Sequence, residues 1–205
     1  MSGAGTYRDA ATLAQIARLG LFADALVSAV AIGFSLTVGV EESLYGDFAR
    51  TLGIVQLVTV LGSLILFLVW FYRANANVRA MGADGLMGSP GLSVAWFFIP
   101  IAFLFMPFVV VRDTWKASAA PRDWQGQPTA PLIGFWWAAF LASHLAGTIS
   151  FRLAMEGDYD MLGAIGTFDL ISNLAAIPAA LLGALVVTRI QKLQVSPAHL
   201  SEHFS

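Results

Sequence analysis

The chain contains no cysteine. That excludes disulfides, thiolate-bound zinc, iron–sulfur clusters and lipid anchors carried on a thiol. Charge is nearly as scarce: Asp, Glu, Lys and Arg make up 12% of the 205 residues, about half the share found in a soluble domain. So little polar surface rules out a water-soluble globule, a disordered tract and a coiled coil, and without a basic stripe there is no footprint for nucleic acid. What is present is carbon. Hydrophobic residues reach 58% and the mean hydropathy is +0.74. The implied solvent is the lipid bilayer, and the implied class is an all-α integral membrane protein, read as a single membrane domain over residues 1–205.

A crossing needs about 20 mostly apolar residues. Five stretches qualify, near 19–40, 51–72, 92–111, 132–151 and 161–188. The first is too long, and lacks the small-residue cleavage site, to read as a removed signal. Ahead of it, Thr6 with Asp9 is expected to cap a helix, and Leu13, Ile16 and Ala17 to lay residues 9–18 along the headgroups before the chain turns inward. Residues 117–131, rich in proline and glutamine, form a loop, and 193–205 a tail.

Lys and Arg gather on the cytoplasmic side of short loops, so their distribution tests a topology. Five crossings split the eleven basic residues almost evenly. If residues 92–111 instead enter and leave by the same face, one side holds Arg8, Arg18, Arg73, Arg79, Arg112, Lys116, Arg122, Arg189 and Lys192. Only Arg50 and Arg152 remain opposite, among Glu41, Glu42, Asp47, Glu156, Asp158 and Asp160. The expected architecture is therefore four transmembrane helices in two hairpins, both termini cytoplasmic, plus a re-entrant or in-plane hydrophobic segment. Pro100 and Pro107 supply the reason to turn back, since each removes a backbone donor and clashes with the preceding turn. Trp70, Tyr72, Trp115, Trp136 and Trp137 then line one interface.

From Trp70 onward the chain reads Trp70-Phe71-Tyr72-Arg73, Asn77, Arg79, Gly82, Ser89-Pro90-Gly91, Trp96-Phe97-Phe98-Ile99-Pro100-Ile101-Ala102, Pro107 and Arg112-Asp113-Thr114-Trp115-Lys116-Ala117-Ser118. This resembles a bacterial membrane-protein family catalogued as domain of unknown function 4328. The resemblance singles out Trp96, Pro100, Pro107, Arg112 and Trp115 as the broken-segment motif and lends no activity. It also implies an Asn after Pro-Ile-Ala, a basic residue before the second proline, and Tyr and Gln after it. Here those places hold Phe103, Met106, Phe108 and Val109. The segment has lost its polar groups, which favours packing against lipid or another subunit.

Ionisable groups inside spans are the first place to look for function, each costing about 2.5–3.5 kcal/mol at a helix centre unless paired. They are Asp24, His144 and Asp169. Gly20, Asp24 and Ser28 share one helix face; Gln56, Thr59 and Ser63 share another; Gly166, Asp169, Asn173 and Ala176 a third. The candidate intramembrane site is Asp24, Gln56, His144, Asp169 and Asn173. A His144–Asp169 pair is sterically reasonable, either as a proton- or cation-responsive site or as a plain interhelical hydrogen bond. Small residues at Ala139, Ser143 and Gly147, and at Ala176, Ala180 and Ala184, predict close helix approach. His199 and His203 flank Glu202 at ligand-like spacing, a coincidence to be expected in a tail. With no nucleophile, phosphate-loop or zinc signature, no catalytic or metal residue is assigned and the cofactor question stays open.

The function expected is a non-enzymatic accessory or interaction subunit of the bacterial cytoplasmic membrane, its partners being the lipid bilayer and another membrane protein or a second copy. The alternative is a small transporter or channel gated by the proline-broken segment.

Overall fold

A computed structural model describes residues 6–38, 46–156 and 159–195. Among them every regular element is helical: α1 (Ala11–Thr37), α2 (Asp47–Ala80), α3 (Pro90–Ala95), α4 (Met106–Ala119), α5 (Pro131–Glu156) and α6 (Leu162–Gln194), with short 3-10 turns at Ala102–Leu104, Pro121–Asp123 and Tyr159–Met161. Four of these, α1, α2, α5 and α6, are long and apolar enough to cross a membrane. At 1.5 Å per residue even the 26-residue α5 is about 39 Å long, more than the roughly 30 Å hydrocarbon core. Glu41, Glu42, Asp158 and the His199–Glu202–His203 spacing lie outside the described residues.

The burial pattern is that of a protein dissolved in lipid. Leu26, Ile54, Val58 and Phe135 are each about two-thirds exposed, whereas Ala14, Ala17, Ser28, Ala31, Ser63 and Asn173 are buried. At these positions small and polar side chains face neighbouring helices and large apolar ones face outward, because lipid gives helices no hydrophobic reason to pair; Trp70, Phe71, Ile133 and Ile190 are nevertheless fully buried.

The start of α1 departs from expectation. Asp9 itself caps the helix, its carboxylate accepting from the Ala11 N–H at 3.0 Å, and the helix then runs unbroken to Thr37. The buried face is Ala10, Ala14 and Ala17, not one carrying Ile16, which is 40% exposed. Three methyl-sized residues at helical spacing pack more closely than the larger residues next to them.

The described residues gather into two compact units. One holds the chain up to Arg18, Ile65–Gly134 and the chain from Ala184 on; the other holds Leu19–Leu64 and Phe135–Gly183. The first unit contains the start of α1, the end of α2, all of α3 and α4, the start of α5 and the end of α6. All nine basic residues grouped by the charge argument belong to it, and Arg50 and Arg152 to the other.

Within the first unit the segment over 92–111 is broken as its prolines require. Ser89 caps α3, accepting from the Leu92 N–H at 3.2 Å with Pro90 in the first turn, so Ser-Pro-Gly is a helix start. The α3 helix stops after one and a half turns. At the tip Ile101 adopts φ 67°, ψ −56°, and the Ala102 N–H donates to the Pro100 carbonyl at 2.7 Å. This is a positive-φ γ-turn, the strained kind, on a β-branched residue. Pro107 sits in the first turn of α4, where its missing N–H is no loss.

In the second unit α5 and α6 approach through small residues. A Cβ on Gly147 would lie 2.9 Å from Ser172 Oγ, and that hydroxyl donates to the Ser143 carbonyl at 3.0 Å. Gly147→Val is therefore expected to destabilise the protein by about 1–3 kcal/mol through overpacking. Gly62→Ala, where the added methyl meets open space, is expected to cost nothing. Thermal denaturation in mild detergent compares the two.

Candidate functional site

Of the five intramembrane polar residues expected to form a site, the second unit brings three together. Asn173, one turn after Asp169 on α6, is buried. Its amide donates to the Asp169 backbone carbonyl at 3.0 Å and to Asp169 Oδ2 at 3.2 Å. Gln56 Nε2 on α2 donates to Asn173 Oδ1 at 2.6 Å. The relay Gln56–Asn173–Asp169 fixes the Asn173 side chain at both ends. Asp24 is half-buried on α1, one turn before buried Ser28.

The pairing of His144 with Asp169 does not form. Asp169 takes its side-chain hydrogen bond from Asn173, and the exposed His144 lies parallel to the Phe140 ring, 6.2 Å between centroids and 7° between planes. Stacking on the i−4 aromatic turns the imidazole along its own helix.

Beside the relay is a partly open cavity of about 320 Å³, lined by residues that include Phe34, Gly53, Gln56, Ser150, Phe151 and Asp169. Missing side-chain volume creates it: Ala31, Ser35, Ala49, Gly147 and Ala154 also line it. Phe34 is held by Phe48 at 4.6 Å on α2, and Ser150 by donating to the Ile165 carbonyl at 3.0 Å.

The first unit holds a denser polar cluster that the sequence reading passed over. Asn77, near the end of α2, bonds reciprocally with the Arg8 peptide: the Arg8 N–H donates to Oδ1 at 3.1 Å, and Nδ2 donates to the Arg8 carbonyl at 2.9 Å. Nδ2 also lies 3.3 Å from Gln194 Oε1. Gln194, 1% exposed, donates to the Ala74 carbonyl at 2.9 Å and to Ser118 Oγ at 3.0 Å. Asn75 donates to Thr114 Oγ1 at 2.9 Å and accepts from Arg79 Nε at 3.2 Å. Two amides on α2 thus fasten the N-terminal segment, α4 and the end of α6.

Their signal was position. Asn75, Asn77 and Arg79 continue the helix beyond residue 72, where hydropathy fades, and Thr114 and Ser118 sit at i, i+4 inside the Arg112–Ser118 motif. Near this cluster the Tyr7 hydroxyl is buried without a partner among the described residues. Burial, and then the Asp9 carboxylate, push its phenol above the ordinary value, so it stays neutral.

The broken-segment residues take distinct parts. Trp96 is half-buried, Pro100 exposed at the tip and Pro107 buried. Phe97 wedges edge-on against Phe67 and Phe71 of α2, at 6.1 and 6.0 Å. Arg112 pairs with the neighbouring Asp113 at 2.8 Å and lies over the Phe108 ring. Trp115 is half-buried. Among the described residues no group of three His, Asp or Glu could hold a metal ion.

Four apolar spans, small-residue helix contacts and a proline-broken insert define a multi-pass membrane protein. The chain belongs to the family described as Domain of unknown function (DUF4328), whose model matches residues 41–192. No curated protein and no solved structure matches it.

The two polar groupings should respond differently to mutation. Asn77→Ala removes both hydrogen bonds to the Arg8 backbone in a part-buried setting, with an expected loss of about 1–3 kcal/mol. Gln56→Leu removes one hydrogen bond between helices in lipid, worth about 0.6 kcal/mol on average. Chemical or thermal unfolding in detergent measures both.

Proposed function

We propose that the protein is a non-enzymatic interaction subunit of a bacterial cytoplasmic membrane, with both termini inside, and that the tip of its broken segment contacts a second membrane protein or a second copy of the chain. The carrying observation is the γ-turn at Ile101. A β-branched residue at positive φ costs about 1–3 kcal/mol and persists only where surrounding structure holds it. Here the strain displays carbon: Phe98 is 64% exposed, Ile101 78% and Phe105 52%. A tip meant only for lipid needs no fixed conformation, because lipid chains conform to any shape. A strained, anchored apolar tip suits a partner that requires one. The apolar residues Phe103, Met106, Phe108 and Val109 in this segment point the same way.

The orientation rests on the nine basic residues gathered in the unit that contains Arg8 and Gln194, the side the positive-inside rule assigns to the cytoplasm. Because the chain has no native cysteine, single substitutions report cleanly. In intact cells an impermeant thiol reagent is expected to label Glu156→Cys and to spare Gln125→Cys; both native residues are exposed. Labelling of Gln125→Cys instead would reverse the orientation.

The contact itself is read by photo-crosslinking in native membranes. A photoreactive residue in place of Phe98 or Ile101 is expected to yield a protein–protein adduct of defined mass. One placed at Phe135, an exposed residue on α5, is expected to yield lipid adducts only. If all three positions give lipid adducts alone, and gently solubilised protein runs as a monomer with nothing bound, the proposal fails.

A further inference from the structure

The cavity in the second unit is an unassigned feature with a definite electrostatic character. Among the described residues Asp169 is the only charged one in its lining, and no Lys or Arg borders it. One carboxylate oxygen, Oδ2, accepts from Asn173. That amide is itself held by Gln56, so it cannot rotate to serve anything else. The other oxygen, Oδ1, has no donor among the described residues. A carboxylate within a span, with a single neutral hydrogen-bond partner, calls for a positive charge to complete it.

The rest of the lining says what kind of cation. A divalent metal needs several oxygen or nitrogen ligands, and no group of three His, Asp or Glu is available among the described residues. The walls are instead largely carbon, with two phenyl rings, Phe34 and Phe151, and a hydroxyl at Ser150. Ring faces attract ammonium groups. The volume of about 320 Å³ lies at the small end of ligand pockets, too large for a bare ion and suited to a skeleton of a few carbons. The surrounding charge agrees: the described residues of this unit hold Asp24, Asp47, Glu156, Asp160 and Asp169 against Arg50 and Arg152, and Arg50 is engaged by Asp47 at 3.3 Å. A net negative field raises the local concentration of cations.

We propose that this cavity binds a small organic ammonium ion. The ammonium group sits against Asp169, its carbon skeleton lies between Phe34 and Phe151, and the Gln56–Asn173 relay positions the carboxylate. The site is separate from the broken-segment contact and stands whether or not that contact exists.

Two variants test it by different physics. Asp169→Asn removes the charge and keeps the shape. Gly53→Leu keeps the charge and fills the space, since a side chain begun at Gly53 meets nothing within 4 Å. Titration calorimetry on the full chain in nanodiscs would use butylammonium and tetramethylammonium chloride, with butanol and sodium chloride as the neutral and inorganic comparisons. The expected result is saturable binding of at least one ammonium ion at millimolar concentration or below, with no heat from butanol or sodium. Each variant is expected to weaken that binding about tenfold or more. Should Asp169→Asn fail to fold, Gly53→Leu, which introduces no buried polar group, decides alone. Absence of saturable ammonium binding to the unsubstituted protein overturns the proposal. So does binding that survives filling of the cavity by Gly53→Leu, or loss of the charge in folded Asp169→Asn.

Discussion

The Asn77 carboxamide satisfies both polar groups of the Arg8 peptide, and the unit around it depends on that exchange. A peptide just ahead of a helix has no intrahelical partner for its N–H, and where water is scarce an unpaired group costs about 1–3 kcal/mol. Asn77 answers the Arg8 N–H and C=O at 3.1 and 2.9 Å, in the manner of one strand of backbone pairing with another. That fixes where α1 begins relative to the end of α2. Gln194 then ties in the end of α6 through Ala74 and Ser118. An aliphatic core cannot set register in this way, because its contacts are non-directional. Each amide specifies a donor and an acceptor at once.

With that end fastened, the broken segment has a rigid base. Thr114 and Ser118 hold α4 from one side, and Phe97 holds the end of α3 against Phe67 and Phe71. Between these anchors the chain has only residues 98–105 in which to reverse, and two prolines forbid a continuous helix. A tight turn is the remaining solution, and it falls on Ile101. Strain at one residue is tolerable because the anchors on either side are numerous.

Much of this was legible in the sequence. Hydropathy located the four long helices, and the eleven basic residues separated a four-span architecture from a five-span one. The units of the fold divide those residues nine to two, as the charge argument did. That agreement has a physical basis: the same headgroup region that retains Lys and Arg also accepts helix ends, loops and amides. The Gln56–Asn173–Asp169 grouping was legible from helical spacing, because polar residues at i and i+4 in an apolar span turn away from lipid. Less legible was anything set by a side chain's choice among partners. His144 had the right depth for Asp169, yet Phe140 lies one turn before it and Asn173 one turn after Asp169, and each local partner prevailed over the distant one. Ala10 and Ala14 were overlooked for a related reason: hydropathy ranks Leu13 and Ile16 above them, whereas packing in lipid rewards the smaller group.

The two polar groupings differ in a way that bears on function. In the Asn77–Gln194 cluster the principal amide contacts are internal, and mutation should register as lost stability. In the Asp169 group the relay ends on a carboxylate that is half satisfied and borders open volume. Structural hydrogen bonds in lipid gain by closing on themselves, since every unpaired polar atom is expensive there. A closed relay would have placed Asn or Ser at position 169 and a larger residue at Gly53. The chain instead retains a charge and the space beside it, an arrangement costly to the fold when empty and favourable when a cation is present.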